Sequence, residues 1–154
     1  MDRSLKISEG IISQVSIVFA FWVVVIYNSR IMPPEAKVLI VEDHPTYRKV
    51  FSQELSYEGH TTTGMIAHIS EAEAAIHGFK ESGVVFDVAL IDGNLGESRD
   101  GEDGARVAQM LRSEYPDTKL IGISASRHGV VGVDLNLNKS VMSFEDLVNA
   151  VTNI

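Results

Sequence analysis

The sequence predicts an α/β fold in which helices cover both faces of a doubly wound, five-stranded parallel sheet. Short apolar runs alternate with amphipathic helical stretches along most of the chain, with tight connections between them. The runs are continuous rather than alternating, as is typical of parallel strands that are buried on both faces. Two of the apolar runs end in acidic residues, which indicates a polar site at one edge of the sheet.

The N-terminal segment, residues 1–34, differs from the predicted domain, residues 35–154. Residues 11–27 read IISQVSIVFAFWVVVIY and carry no charge. They predict a hydrophobic helix of about 25 Å, which is at the short limit of what spans a bilayer. Three interpretations stay open. In the first, the helix anchors the domain to the cytoplasmic face of the inner membrane. In the second, translation starts at Met32 and the segment is not part of the native protein. In the third, the segment is a soluble helix that packs on a partner.

The charge of the chain is unevenly distributed. The formal net charge is −8, and the first 34 residues hold three basic and two acidic side chains, which leaves −9 on the predicted domain. An acidic domain argues against direct nucleic-acid binding, because that needs clustered lysine and arginine. The chain has no cysteine, so disulfides, thiolate metal sites and thiol redox chemistry are excluded.

The first half of the domain contains two predicted strands and two predicted helices. Residues 37–42 (KVLIVE) form a buried strand, an amphipathic helix covers residues 45–56, and β-branched residues 60–65 form a second strand. A capping box from Ser70 to Glu73 predicts a helix that runs to about His77 or Phe79.

The second half contains three predicted strands and two predicted helices. Strands are predicted over residues 84–92 (VVFDVALID), 119–124 and, more weakly, 133–137. A helix over residues 103–115 ends at Pro116, and a last helix, capped by residues 143–146 (SFED), runs to the C-terminus.

Five side chains with distinct chemistry fall at the carboxyl ends of the predicted strands, where ligands bind in such sheets. They are Glu42 and Asp43 after the first strand, Asp92 at the end of the third, Ser124 at the end of the fourth and Lys139 after the fifth. Three adjacent carboxylates repel one another unless a cation lies between them. Oxygen ligands of this kind favour Mg²⁺, which also takes a phosphate oxygen.

This set of residues predicts phosphoryl-transfer chemistry. The Asp92 carboxylate can attack a phosphorus atom in line and form an acyl phosphate. Charge that develops on the phosphoryl oxygens needs Mg²⁺, an ammonium group and a hydroxyl donor around it. Lys139 and Ser124 supply the last two.

The pattern resembles the receiver domain of response regulators, the CheY-like fold, over roughly residues 37–154. In that family an acidic pair ends the first strand, an aspartate ends the third, a serine or threonine ends the fourth and a lysine follows the fifth. The resemblance implies a flavodoxin-like strand order 2-1-3-4-5 and identifies Asp92 as the phosphoacceptor. It also implies that Asn94, two residues later, gives its backbone carbonyl to the metal beside Glu42, Asp43 and Asp92.

The resemblance further implies a role in two-component signalling. A sensor histidine kinase or histidine phosphotransfer protein would donate the phosphoryl group in the cytoplasm, and slow self-hydrolysis would remove it. We expect a stand-alone receiver without an output domain, read by a downstream protein partner. Whether it counts as an enzyme stays open, since self-phosphorylation and self-dephosphorylation are the most that is expected.

Three features depart from the family pattern. Ser140 follows Lys139 where a cis-proline is usual, and Asn136 stands where an aromatic switch residue is expected. Only 14 residues separate Ser124 from Lys139, too few for a full helix, a strand and their loops. We therefore expect the family's fourth helix to be missing or reduced to a turn, and phosphorylation to be reported in an unusual way.

Two other functions compete with the receiver. A pseudo-receiver adaptor would bind partners without being phosphorylated, which the missing aromatic residue and proline favour. An Asp-nucleophile phosphatase would need a second acid two residues after the nucleophile, where the chain has Asn94.

The remaining polar residues are expected in loops or at the surface. The histidines show no paired ligand spacing, and this favours loop or surface placement for His44, His60, His68, His77 and His128. The acidic residues after the third strand, Glu97, Asp100, Glu102 and Asp103, are expected to be a solvated helix N-terminus.

Overall fold

The computed structural model describes residues 35–96, 102–126 and 128–153. Among these residues no helix is long and apolar enough to cross a bilayer. The predicted hydrophobic helix of residues 11–27 lies outside the described ranges, as do Glu97 and Asp100.

A single sheet of five parallel strands organises the described residues. The strands are β1 (Lys37–Val41), β2 (Thr61–Ile66), β3 (Val88–Asp92), β4 (Lys119–Ser124) and β5 (Leu135–Asn138). Their order is β2-β1-β3-β4-β5, and every neighbouring pair is parallel. The predicted fold class and strand order are confirmed. This order places β1 and β3, the two strands that lead into acidic residues, side by side.

Helices cover both faces of this sheet. Those described are α1 (Pro45–Tyr57), α2 (Ile69–Glu81), α3 (Glu102–Glu114) and α4 (Phe144–Thr152). The side chains of β1 alternate between two cores: Leu39 and Val41 pack with residues of α2 and α3, whereas Val38 and Ile40 pack with residues of α1 and α4. Burial on both faces explains the continuous apolar runs in the sequence.

The two predicted capping boxes have different outcomes. Ser143 caps α4 as predicted: its Oγ accepts the Asp146 N–H at 3.1 Å, and the Asp146 carboxylate accepts the Ser143 N–H at 2.8 Å. At α2 the prediction of Ser70 as the cap is wrong. The helix begins at Ile69, and Glu71 accepts the N–H groups of Ala67 and His68. Buried Ile69 belongs to the first turn, which moves the cap outward.

The third strand is shorter than predicted, since it begins at Val88 rather than at residue 84. Its neighbours are in register only from that point, where Val88 pairs with Val38 of β1 and Lys119 of β4. Asp87 still bonds the first residues of β1 and β4, whereas residues 84–86 lie beyond the start of both neighbouring strands. An apolar sequence alone therefore does not make those three residues part of the sheet. The other element boundaries lie within two residues of prediction, except that α2 ends at Glu81, two to four residues after its predicted end.

The connection between β4 and β5 contains no helix among its described residues, 125–126 and 128–134. This confirms that the family's fourth helix is missing. Val130 fills part of the space and is 2% exposed. The face of the sheet next to β5 is therefore covered by a short irregular connection.

Candidate phosphoacceptor and metal site

The acidic residues meet at the carboxyl ends of β1 and β3. Glu42 and Asp43 directly follow β1, and Asp92 is the last residue of β3. Glu42 is 2% exposed and Asp92 7% exposed, so both carboxylates lie largely out of water. One carboxylate oxygen from each of the three residues lies within 4.8 Å of the other two. The predicted juxtaposition of Glu42, Asp43 and Asp92 is present.

Lys139 joins this acidic group from the loop after β5. Its Nζ donates hydrogen bonds to Oε2 of Glu42 and Oδ2 of Asp92, both at 2.7 Å. The backbone N–H of Lys139 donates to the carbonyl of Ser124 at 3.0 Å, which extends the β4–β5 pairing by one residue. The lysine is thus fixed at both ends, by the sheet and by the carboxylates.

The electrostatics of the site reflect burial and close charges. Burial raises the pKa of Glu42 to about 7; the Lys139 hydrogen bond opposes this rise and the Asp92 charge adds to it. Burial alone would lower the pKa of Lys139, but the hydrogen bonds to Asp92 and Glu42 outweigh it and raise that pKa. Three carboxylates against one ammonium give the site an excess of acidic groups, which suits a divalent cation.

Ser124 and Asn94 lie near the Asp92 end of the site. Ser124 ends β4, is 1% exposed, and accepts the Ser126 N–H on its Oγ at 3.0 Å. Gly93, the residue after Asp92, lies close to Ser124: a Cβ at position 93 would be 2.9 Å from the Ser124 Oγ. The N–H of Asn94 lies 3.4 Å from Oδ1 of Asp92.

Two supporting residues were missed in the sequence. Arg48 in α1 donates from Nη1 to the carbonyls of Glu42 at 2.6 Å and Asp43 at 2.7 Å, and so holds the backbone of the acidic pair. Gly104 in α3 donates its N–H to the carbonyl of Gly93 at 3.1 Å. A Cβ at position 104 would overlap the carbonyl of Asp92. The sequence held a usable signal for Arg48, an arginine one turn into the helix that follows an acidic pair.

One prediction of surface placement is wrong. Asp103 is 3% exposed, so it is not part of a solvated helix end, whereas Glu102 is exposed as predicted. The same turn of α3 places Gly104 against the end of β3, so the start of this helix packs on the sheet. His60 lies in the loop before β2, as the predicted loop or surface placement allows, but it is only 3% exposed. Its ring is hydrogen-bonded to Ala36 and Thr152. The other four histidines are exposed.

The loop after Lys139 is held without a proline. Ser140 donates its N–H to Oδ1 of Asn138 at 2.8 Å, and the N–H of Met142 donates to the carbonyl of Asn138 at 2.9 Å. No peptide bond in the described part of the chain is cis. A side-chain turn at Asn138 thus takes over the constraint that the expected proline would supply.

A comparison with protein families identifies the class of protein to which the chain belongs. The model of the response regulator receiver domain matches residues 38–150. The chain belongs to this family. The resemblance drawn from the strand-end residues is confirmed. A comparison with curated protein sequences gives no match.

Solved receiver domains share the fold of this receiver. The CheY-like receiver domain protein from Methanospirillum hungatei is 20% identical, with a TM-score of 0.61 over 77% of this chain and 92% of that one. The signal receiver domain of NarL from Mycobacterium tuberculosis is 26% identical, with a TM-score of 0.58 over 79% and 96%. TrrA from Thermotoga maritima, solved with Mg²⁺-BeF, is 24% identical, with a TM-score of 0.60 over 77% and 97%.

Proposed function

We propose that this receiver domain accepts a phosphoryl group on Asp92 from a histidine-phosphorylated donor. The observation that carries the proposal is the placement of the Lys139 ammonium, 2.7 Å from both Asp92 and Glu42. A lysine held on the carboxylate that is to react lies where negative charge develops during transfer. A solvated strand-end aspartate would need no such partner.

The proposed reaction is an in-line displacement at phosphorus. An Asp92 carboxylate oxygen forms the new bond to phosphorus, and the bond between phosphorus and the donor nitrogen breaks. The imidazole leaves with the electron pair and takes up a proton. Lys139 stabilises charge on the phosphoryl oxygens, and Ser124 would donate its hydroxyl from the neighbouring strand.

We further propose that Glu42, Asp43, Asp92 and the backbone carbonyl of Asn94 hold Mg²⁺. The three carboxylate oxygens lie within 4.8 Å of one another, close to the roughly 4 Å that separates opposite ligands of one magnesium ion. Mg²⁺ would supply positive charge to the phosphoryl oxygens. The net charge of the site and its all-oxygen donors support this ion over softer metals.

Membership of the receiver family supports the class of partner. The donor would be a sensor histidine kinase or a histidine phosphotransfer protein, in the cytoplasm where ATP-dependent kinases act. A downstream protein would read the phosphorylated state. The acidic composition of the domain argues against nucleic acid as that reader.

The test is incubation of the purified protein with Mg²⁺ and a small phosphodonor, followed by intact-mass measurement. We expect one added phosphoryl group, lost in Asp92→Asn and retained in Asp117→Asn, an exposed aspartate in the turn before β4. Chelation of Mg²⁺ should abolish labelling. An unlabelled wild type would favour the adaptor function, and continuous release of phosphate from simple monoesters would favour a phosphatase.

A further inference from the structure

An aromatic ring lies beside the lysine of the site. Tyr47 is the third residue of α1, and its side chain is 45% exposed. The Nζ of Lys139 lies over this ring, 5.0 Å from its centroid. A cation within about 6 Å of the face of a tyrosine is attracted by the ring quadrupole. The lysine therefore contacts two carboxylates and one π face.

The Tyr47 ring is held in place by its neighbours on α1. It stacks on Phe51, four residues later, with centroids 5.8 Å apart and planes at 25°. Phe51 is 1% exposed and belongs to the core, so the stack is anchored from below. The centroid of the His44 ring, three residues before Tyr47, lies 5.3 Å from that of Tyr47. Although nearly half exposed, Tyr47 is thus packed as a defined wall of the site.

We infer that Tyr47 is a positioning residue that holds the Lys139 ammonium over Asp92, an inference that rests on the proposed phosphorylation of Asp92. The ammonium donates two hydrogen bonds, one to Glu42 and one to Asp92. The Tyr47 ring shields the group from bulk water, and the Lys139 side chain is only 15% exposed. Removal of water strengthens the attraction between the ammonium and charge on the phosphoryl group.

The role of the ring would grow with a cation bound at Glu42. The Glu42 carboxylate would then be shared between the ion and Lys139, and one of the two hydrogen bonds that position the lysine would weaken. The π face of Tyr47 gives no lone pair to such an ion, so its attraction to the ammonium would be retained. It would keep Lys139 in place while the carboxylates held the ion.

The experiment compares Tyr47→Leu, which removes the ring, with Tyr47→Phe, which keeps it. Tyr57→Leu is the matched control, since Tyr57 ends the same helix and is 79% exposed. The readout is the rate of phosphorylation by a small phosphodonor at saturating Mg²⁺. We expect Tyr47→Leu to slow the reaction roughly three- to tenfold, and Tyr47→Phe and Tyr57→Leu to stay within about twofold of wild type.

A small donor also separates this role from partner docking. If Tyr47→Leu is slowed only with a kinase or phosphotransfer protein as donor, Tyr47 is a docking residue and the inference is overturned. If Tyr47→Phe is slowed as much as Tyr47→Leu, the hydroxyl rather than the ring matters, and the inference is also overturned.

A spectroscopic measurement tests the contact without any phosphorylation. The ε-methylene protons of Lys139 should show a ring-current shift in wild type and Tyr47→Phe that disappears in Tyr47→Leu. An unphosphorylated wild type that shows this shift would contradict the proposed function but not the contact. A phosphorylated wild type with no shift, or with a Tyr47→Leu rate equal to its own, would contradict the inference alone.

Discussion

The side chain of Asn136 closes a two-way hydrogen bond with the backbone of Val130. Its Oδ1 accepts the Val130 N–H at 2.7 Å, and its Nδ2 donates to the Val130 carbonyl at 3.1 Å. Asn136 stands where the receiver family has its aromatic switch. The position therefore tethers the β4–β5 connection to β5 and carries no ring that could turn inward.

Loss of this tether should destabilise the domain. Asn136→Ala leaves the backbone of buried Val130 without its partner, which costs about 1–2 kcal/mol in the free energy of unfolding. Urea denaturation measures the change. Asn149→Ala, an exposed asparagine of α4, is the control and should stay within about 0.5 kcal/mol of wild type. Equal stabilities of the two variants would show that the tether contributes nothing.

Gly104 is expected to be a packing requirement of the loop that follows Asp92. A Cβ there meets the backbone of Asp92 and Gly93, which cannot move aside without displacing the end of β3. Gly104→Ala should therefore cost about 1–3 kcal/mol of stability and slow phosphorylation. Gly78→Ala, in α2, introduces a Cβ into open space and should instead stabilise by about 0.5–1 kcal/mol. A neutral Gly104→Ala would refute the close approach of α3.

Arg48 should control metal affinity without touching the metal. Its guanidinium holds the carbonyls of Glu42 and Asp43, so Arg48→Met frees the backbone of two proposed ligands. We expect the Mg²⁺ dissociation constant, measured by calorimetry, to rise roughly threefold to tenfold. Arg106→Met removes an exposed positive charge from α3 and accounts for the change in net charge. The same affinity in both variants would exclude a positioning role.

His60 should make stability depend on pH. Burial lowers the pKa of His60, an effect that the charges of Glu58 and Glu35 oppose. Its Nδ1 accepts the Ala36 N–H at 3.2 Å, and its Nε2 lies 3.0 Å from the Thr152 Oγ1. Protonation of Nδ1 removes that acceptor. The neutral ring is therefore the form that the folded state prefers.

The sign of the pH effect follows from this lowered pKa. The unfolded chain binds a proton near pH 6.5 and the folded chain only at lower pH, so the contribution is complete above pH 6.5 and is lost as pH falls through the folded pKa. The raised pKa of Glu42 acts in the opposite direction. The contribution of Glu42 cancels when wild type is compared with His60→Gln, because both proteins contain Glu42. The stability advantage of wild type should shrink on acidification, and a constant advantage would contradict the account.

Much of the fold was predictable because burial on both faces leaves a local signature. The apolar run of residues 119–124 is the strand β4, and Asp92 and Ser124 end their strands as the sequence indicated. Strand ends in a parallel sheet share one edge, so the meeting of the acidic residues with Lys139 followed from order alone. The missing helix followed from the length of the connection.

The parts that were not predictable depend on contacts distant in sequence. The start of β3 is decided by where its two neighbours begin, and not by its own apolar residues. The burial of His60 depends on Thr152, 92 residues away. Nothing local to Asn136 indicates that its amide bonds Val130. Side-chain contacts of this kind arise only once the sheet has formed.

Chemical mapping of the phosphorylated residue tests the central claim most directly. Borohydride converts an aspartyl phosphate to homoserine, which peptide mass spectrometry locates in the sequence. After treatment with Mg²⁺ and a small phosphodonor, we predict homoserine at position 92 alone. Homoserine at position 43 or 103, or none in a fully folded and Mg²⁺-loaded sample, would contradict the assignment of Asp92 as the phosphoacceptor.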